Sequence, residues 1–123
     1  MNNPLVSIVI PSYNHERFIA DTIKSVMDQS YNNIELIVID DGSTDNSREV
    51  IKKCQRNYNN NFEFIEKKNE GLVKTLNYGL SLIKGKYYQV LGSDDIIYKE
   101  KIELQVNHLE SNADDAMVYS DCD

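Results

Sequence analysis

The order of hydrophobic segments constrains the fold of this chain more than any other feature. Short runs rich in β-branched residues alternate with segments whose apolar residues recur every three or four positions. The first pattern is typical of strands buried on both faces, and the second is typical of amphipathic helices. The predicted strands are Leu5–Ile10, Ile34–Ile39, Phe62–Ile65, Tyr87–Leu91 and Ala116–Tyr119. The alternation therefore predicts an α/β protein with a mainly parallel sheet and helices on both faces.

Four predicted helices separate these strands. Asn14 can cap the first helix, and Ser43 or Asp45 the second, because such side chains accept hydrogen bonds from free backbone N–H groups. Gly85 is a natural stop for the third helix. The apolar faces of the four helices contain Phe18–Met27, then Val50, Ile51 and Cys54, then Leu72–Ile83, and finally Ile102–Leu109. Right-handed crossovers would place every strand-to-helix loop at one edge of the sheet.

Length and charge exclude several classes of protein. The 123 residues fit one domain, since domains most often have about 100–150. Acidic residues outnumber basic ones by 20 to 13, which argues against a nucleic-acid-binding surface. No apolar stretch approaches the roughly 18–20 residues of a membrane span, and Met1–Pro4 does not resemble a secretory signal. Cys54 and Cys122 lack a metal-type spacing. We therefore expect a cytoplasmic protein that does not insert into the membrane. A location at the inner face of the membrane is also compatible with the sequence.

Acidic and aromatic residues follow the ends of the predicted strands. Tyr13 follows the first strand, Asp40 and Asp41 the second, and Asp94 and Asp95 the fourth. Ligands of open α/β sheets bind outside the carboxyl ends of the strands, so we expect these side chains to meet at one rim. Crowded carboxylates repel each other, and a hard divalent cation relieves the repulsion. Oxygen ligands favour magnesium, manganese or calcium over zinc.

Each of these segments also has a purely structural interpretation. Residues 40–43 can form an ordinary turn and helix cap, and residues 93–95 can cap the helix that follows. Tyr13 can be a surface tyrosine, and His15 and His108 are interpreted as surface histidines. A helix cap needs only one side chain, so two doubled carboxylates at one rim weigh against the structural interpretation. The glycine-rich dinucleotide and phosphate-loop motifs are both absent.

Four segments, in this order, resemble the family 2 glycosyltransferases of the GT-A fold. They are VSIVIPSYN at 6–14, IVIDDGSTD at 37–45, NEG followed by NYG within 69–79, and GKYY leading to SDD within 85–95. The resemblance extends from Val6 to about Asp121. It implies a Rossmann-like GT-A sheet truncated after the fifth strand. Residues 1–123 would form the nucleotide-sugar-binding part, and the acceptor-binding part would be absent from the chain.

The resemblance implies roles in nucleotide binding for particular residues. Pro11 and Tyr13 would line the base and ribose pocket, where Tyr13 could stack on a pyrimidine. Asp41 would accept a hydrogen bond from the base, most simply from N3–H of uracil. Lys74 lies where relatives often carry a basic residue, although it can also be an ordinary solvated helix lysine. Asp94 would reach the ribose or a metal-bound water.

The resemblance also implies a divalent cation, Mn²⁺ or Mg²⁺. Asp95 would coordinate the ion together with Asp94. Many relatives carry Asp-x-Asp-Asp at this point, but Gly92 replaces the first acid in this chain. The ion would then need diphosphate oxygens and water to complete its shell. We therefore expect weak metal binding without nucleotide.

The resemblance implies metal-dependent transfer of a sugar from a nucleoside-diphosphate sugar, expected to be UDP-linked, to an acceptor hydroxyl. The acceptor would be a saccharide or a lipid-linked molecule, and the reaction would invert the anomeric centre. The product would belong to polysaccharide or glycoconjugate synthesis. The general base is expected beyond Asp123, so we expect this fragment of a longer enzyme to bind donor but transfer poorly. Two alternatives stay open: a non-catalytic nucleotide-binding module, and a phosphoacceptor receiver domain, whose acidic pair should follow strand one.

Overall fold

The computed structural model describes residues 3–111 and contains a parallel sheet of four strands with four helices. The strands are β1 (Val6–Ser12), β2 (Ile34–Asp41), β3 (Glu63–Lys67) and β4 (Tyr87–Val90). The helices are α1 (Ile19–Met27), α2 (Ser47–Asn57), α3 (Leu72–Leu82) and α4 (Lys101–Ser111). The alternating order is confirmed over this part of the chain. The predicted fifth strand, Ala116–Tyr119, lies outside the described residues.

The strands are arranged in the order β3-β2-β1-β4, and every neighbouring pair is parallel. This is the order of the first four strands in a Rossmann-type sheet. Receiver domains belong to the other common doubly wound type, with the order 2-1-3-4-5. The receiver interpretation therefore does not fit the sheet. The α/β class with a Rossmann-like parallel sheet is confirmed.

The two faces of the sheet carry cores of different size. Alternate residues of β1 and β2 face α1, α2 and α4, whose buried side chains include Ile23, Ile51 and Ile102. The opposite face is covered by α3 and contains Val9, Ile37 and Ile39. A methyl group built on Gly79 would lie only 2.8 Å from Val9 Cγ1, so a glycine at this position lets α3 approach the sheet closely. Helices therefore cover both faces, as predicted.

Two predicted boundaries differ from the structure. Pro11 does not end β1, because the strand continues to Ser12, which pairs with Asp40. The carbonyl of Val9 accepts the N–H of Leu91, so the backbone polar groups of Val9 point towards β4. The backbone of Pro11, two residues later, points to the same side, but the pairing with β4 has already ended there. Its missing N–H therefore breaks no ladder bond. Helix α3 ends at Leu82, before Gly85. A methyl group built on Gly85 would lie 2.7 Å from the carbonyl oxygen of Leu5, so this glycine allows close contact with the start of the chain.

Candidate functional site

A pocket of about 280 Å³ opens at the carboxyl edge of the sheet, beside the ends of β1 and β2 and the start of α3. Its lining consists of Pro11, Ser12, Tyr13, Asp41, Asn69, Gly71, Leu72 and Thr75. Pro11, Tyr13 and Asp41, which were predicted for one nucleotide site, therefore share one cavity. The volume lies near the lower end of the roughly 300–1,000 Å³ that is usual for ligand pockets. It suits part of a nucleotide sugar, such as a base and ribose, better than the whole molecule.

Asp41 is buried and forms the polar side of this pocket. Its Oδ1 accepts the backbone N–H of Glu70 at 2.9 Å, and its Oδ2 accepts the N–H of Gly71 at 3.1 Å. Burial of the carboxyl opposes ionisation, but the Glu70 N–H, the Thr75 hydroxyl and the Lys67 ammonium outweigh it and lower the pKa of Asp41. Asp41 is therefore an anion in the folded protein, and it fixes the loop that leads into α3.

Lys67 completes this arrangement, and the sequence analysis did not identify it. Its Nζ lies 3.3 Å from Asp41 Oδ1 and 2.8 Å from Glu70 Oε1. The carboxylates of Glu70 and Asp41 outweigh the effect of burial and raise the pKa of Lys67. The separation of three residues between Lys67 and Glu70 was a usable signal for a local ion pair, but nothing in the sequence linked Lys67 to Asp41.

Asp40 is fully buried and does not join the rim. Its Oδ2 accepts hydrogen bonds from Arg48 Nε at 2.8 Å and from the N–H of Ser43 at 2.9 Å. Its Oδ1 accepts the Ser43 hydroxyl at 2.5 Å. The expectation that both acids of this pair face a shared cleft is wrong, because successive side chains of a strand point to opposite faces. For Asp40, the structural interpretation as a turn-forming residue is correct.

Asn14 joins the loop after β1 to the loop after β2. Its backbone is left-handed, with a φ of 53°. Its Oδ1 accepts the N–H of Thr44 at 2.8 Å and of Asp45 at 3.3 Å, while its own N–H donates to Ser43 Oγ at 3.0 Å. The predicted cap of α1 by Asn14 is therefore wrong, since the side chain serves the neighbouring loop instead. Tyr13, the residue before it, is 44% exposed and lines the pocket.

The prediction that Ser43 or Asp45 caps α2 is wrong, because the N-cap is Asn46 and its side chain makes no capping hydrogen bond. Asp45 Oδ1 nevertheless accepts the N–H of Ser47, the first residue of α2, at 2.9 Å. Its Oδ2 accepts the N–H of Glu16 at 3.2 Å, which adds a second link between the loops after β1 and β2. Burial opposes ionisation of Asp45, but the hydrogen bonds from Ser47 and Glu16 lower its pKa.

His15 connects the same loop to the end of β4. The ring nitrogen Nδ1 of His15 and the hydroxyl of Ser93 share a hydrogen bond. Thr22 in α1 donates to the carbonyl of Ser93 at 3.0 Å, and the N–H of His15 donates to Ser47 Oγ at 3.0 Å. The half-buried His15 is thus more than a surface residue. Its contacts hold the loops after three strands together.

Asp94 and Asp95 follow Ser93 directly, but they do not line the 280 Å³ pocket. The N–H of Asp95 donates to the carbonyl of Gly92 at 3.0 Å. A methyl group on Gly92 would lie 2.7 Å from Asp95 Oδ2 and 3.3 Å from Asp94 Oδ1, so both carboxylates face the same small space. Within residues 3–111, however, no three His, Cys, Asp or Glu side chains form a metal-binding group. The two carboxylates have the right chemistry for a hard cation but supply only part of its shell.

Lys74 lies on the first turn of α3, exposed to solvent and outside the lining of the pocket. It is close enough to Glu70 to contribute to the lowered pKa of that carboxyl, after the larger effect of Lys67. A larger open groove of about 550 Å³ lies elsewhere, between α1 and the segment 96–99. That groove contains none of the predicted nucleotide or metal residues.

Comparison with known proteins decides the family. Residues 7–120 match the model described as Glycosyl transferase family 2. The chain belongs to glycosyltransferase family 2. A relative from Haemophilus influenzae (strain ATCC 51907 / DSM 11121 / KW20 / Rd), named as an uncharacterized glycosyltransferase, is 43% identical over 112 residues. The match covers 91% of this chain and 45% of that relative.

Solved structures of glycosyltransferases have the same fold. S. aureus TarS 1-349 in complex with UDP-GlcNAc is 27% identical, with a TM-score of 0.79 over 89% of this chain and 32% of that chain. The mannosyltransferase PcManGT from Pyrobaculum calidifontis, in complex with GDP-Man and Mn²⁺, has a TM-score of 0.83 over 96% of this chain and 34% of that chain. At 20% identity, the second likeness concerns the fold alone. The chain spans between 15% and 45% of the lengths of the curated relatives that it matches.

Proposed function

We propose that this chain is the donor-binding part of a glycosyltransferase that uses a UDP-linked sugar. The observation that carries the proposal is that Tyr13, just after β1, and Asp41, the last residue of β2, line one cavity at the carboxyl edge of a Rossmann-like sheet. The likeness to TarS, whose structure contains UDP-GlcNAc, supports uridine as the nucleoside. Transfer to a saccharide or lipid-linked acceptor, inversion at the anomeric carbon and a role in polysaccharide or glycoconjugate synthesis are part of the same proposal.

The pocket offers a base two kinds of contact. The exposed ring of Tyr13 provides a face on which a pyrimidine stacks. Asp41 is the second contact: its Oδ1 accepts bonds from Glu70 and Lys67, and its Oδ2 accepts the N–H of Gly71. The Thr75 hydroxyl also donates to this carboxylate, and because a hydroxyl can rotate away, an N–H donor of a base can take its place. N3–H of uracil is such a donor, and Pro11 would complete the wall beside the ribose.

A divalent cation, Mn²⁺ or Mg²⁺, would be held by Asp95 and Asp94. When bound, it supplies Lewis-acid stabilisation for the negative charge of the leaving diphosphate. Because Gly92 stands where many relatives carry a third carboxylate, the diphosphate oxygens must contribute to the coordination shell of the ion. Lys74, on the exposed first turn of α3, is proposed as a further contact for phosphate. The His15–Ser93 hydrogen bond links the loop that carries Tyr13 to the segment that carries the two carboxylates, which supports one shared site.

The described residues bind and orient the donor, which is the positioning part of catalysis. Deprotonation of the acceptor needs a general base, and we expect that residue beyond Asp123. A non-catalytic nucleotide-binding module is the second candidate, and Gly92 is the observation that favours it. Among residues 3–111 no helix has the length and apolar content of a membrane span. The cytoplasmic location that the sequence indicates stays a prediction.

Calorimetric titration of the chain with UDP tests the proposal. We expect binding that strengthens when Mn²⁺ is present and that Tyr13→Ala weakens strongly. Tyr98→Ala is the matched control, because Tyr98 is similarly exposed but does not line the pocket. Failure of UDP to bind at millimolar concentration, with or without Mn²⁺, would overturn the donor-site assignment. For a longer chain of the same protein, hydrolysis or transfer of a UDP-sugar would separate the enzyme from the non-catalytic module.

A further inference from the structure

Leu72 is an apolar side chain at a solvent-exposed position, where polar side chains are more usual. It is the first residue of α3 and is 60% exposed, yet it lines the same pocket as Tyr13 and Asp41. Exposed single leucines are common on protein surfaces. This leucine differs from them because it borders a cavity that also has an exposed aromatic ring and a buried anion.

The position of Leu72 is fixed by the residues before it. Asp41 accepts the N–H groups of Glu70 and Gly71, and Gly71 has a left-handed φ of 96° that favours glycine. The N–H of Thr75 then donates to the carbonyl of Gly71 at 3.1 Å, which closes the first turn of α3. Both sides of the turn are therefore held, which fixes the backbone of Leu72 beside the pocket.

We propose that Leu72 forms the second wall of the base site, so that the base of the nucleoside diphosphate lies between Leu72 and the ring of Tyr13. This inference rests on the proposed function. Every nucleobase has an apolar face, and covering such a face on both sides removes apolar surface from water. Leu72 and Tyr13 therefore contribute affinity for a planar ring, whereas Asp41 distinguishes bases by the hydrogen bonds they donate. Leu72 would act on the nucleoside and have no effect on phosphate binding.

The chain offers a close control for this role. Val73 follows Leu72 in the same helical turn and is 71% exposed, but it does not line the pocket. Leu72→Ala and Val73→Ala each shorten an exposed apolar side chain in α3. Substitutions at exposed positions usually change stability little, so both variants should fold, and denaturant unfolding would verify this.

Calorimetric titration with UDP, uridine and pyrophosphate tests the inference. We expect Leu72→Ala to weaken the binding of UDP and of uridine by the same factor, about five- to tenfold, and to leave pyrophosphate unaffected. Leu72→Met should restore most of the affinity, because methionine has a similar apolar volume. Val73→Ala should bind like the unsubstituted protein.

Two other outcomes separate this inference from the proposed function. If the unsubstituted protein binds UDP and Leu72→Ala binds it as well as Val73→Ala does, the wall assignment is overturned and the donor site stands. A loss that appears equally with pyrophosphate would also overturn it, since it would place Leu72 near phosphate instead of the base. If the unsubstituted protein binds no UDP, the proposed function fails and this inference fails with it.

Discussion

Asp41 accepts the N–H of Gly71 at 3.1 Å, and this bond joins the end of β2 to the start of α3. Together with the Glu70 N–H and the Lys67 ammonium, it gives Asp41 three partners between the end of β3 and the start of α3. The residue proposed to recognise the base therefore also holds the turn that leads to Leu72, the proposed second wall of the base site. Binding and local stability should change together when Asp41 is altered.

Substitution of Asp41 by Asn should affect both properties. The amide has one oxygen instead of two, so a backbone N–H of the loop loses its acceptor and Lys67 loses an ionic partner. We expect the free energy of unfolding to fall by about 1–3 kcal/mol and UDP affinity to fall at least about tenfold. Urea unfolding and calorimetry measure the two effects.

Asp40→Asn is the control for that variant, because it makes the same chemical change at the adjacent buried position. It weakens the bonds to Arg48 and Ser43 and should cost a similar amount of stability, about 1–3 kcal/mol. Its UDP affinity, measured on folded protein, should match that of the unsubstituted chain. Equal losses of UDP affinity in the two variants would contradict the division of roles.

The stabilising effect of Asp41 should depend on pH. The folded-state pKa of Asp41 lies below its ordinary value of 3.8, so the unfolded chain takes up the proton first as pH falls. Its contribution is present in full above the unfolded pKa and is lost as pH falls through the folded pKa. The difference in unfolding free energy between the unsubstituted protein and Asp41→Asn should therefore shrink between about pH 5 and pH 2. A difference that stays constant over this range would argue against an ionised Asp41.

Asn14 should be needed to hold Tyr13 beside the pocket. Asn14→Ala loses the bonds to Thr44 and Asp45 and places alanine at a left-handed φ, at a cost of roughly 1–2 kcal/mol. Asn14→Asp keeps an acceptor and should retain most of the UDP affinity, whereas Asn14→Gly keeps the backbone freedom but loses the acceptor and should bind UDP weakly. Calorimetry with the three variants separates the two contributions.

Asn59→Ala controls for the backbone effect at Asn14. Asn59 has a φ of 55°, nearly the same as Asn14, but lies after α2 and outside the pocket. It should lose stability through the same strain and bind UDP normally. A drop in UDP affinity for Asn59→Ala as large as that for Asn14→Ala would show that the affinity loss reflects general destabilisation.

Changes near β4 should alter the response to metal. Asp95→Asn removes an anionic ligand, so Mn²⁺ should no longer strengthen UDP binding, while folding should be nearly unchanged.

Gly92→Asp adds a carboxylate beside the other two. Because the closest atoms to the new Cβ belong to the ends of the Asp94 and Asp95 side chains, these can move aside. We expect tighter Mn²⁺ binding in Gly92→Asp than in Gly92→Asn, as measured by titration in the presence of UDP. An identical Mn²⁺ response in both would contradict the placement of a cation here.

The periodicity of the sequence was sufficient for the fold, because strands buried on both faces and amphipathic helices have distinct patterns. It also placed Tyr13 and Asp41 at the same edge. It could not separate Asp40 from Asp41, because the choice depends on which of two adjacent side chains faces the pocket. That orientation follows from the exact end of β2 and from Arg48, which reaches Asp40 from α2.

The contacts that sequence reasoning missed are those between loops distant along the chain. Asn14 looked like a helix cap because its residue type is common there, but the loop after β2 offered its own N–H groups to the same oxygen. Leu72 looked like an ordinary residue of a helical stripe. Its place beside the pocket arises from the turn that Asp41 fixes, and only the three-dimensional arrangement reveals that turn.

The most direct test of the donor site is the NMR spectrum of the chain bound to UDP. We predict nuclear Overhauser effects from the uracil ring protons to the aromatic protons of Tyr13, with assignments verified by loss of the signals in Tyr13→Ala. Contacts from the base to the groove between α1 and residues 96–99, with none to Tyr13, would contradict the account.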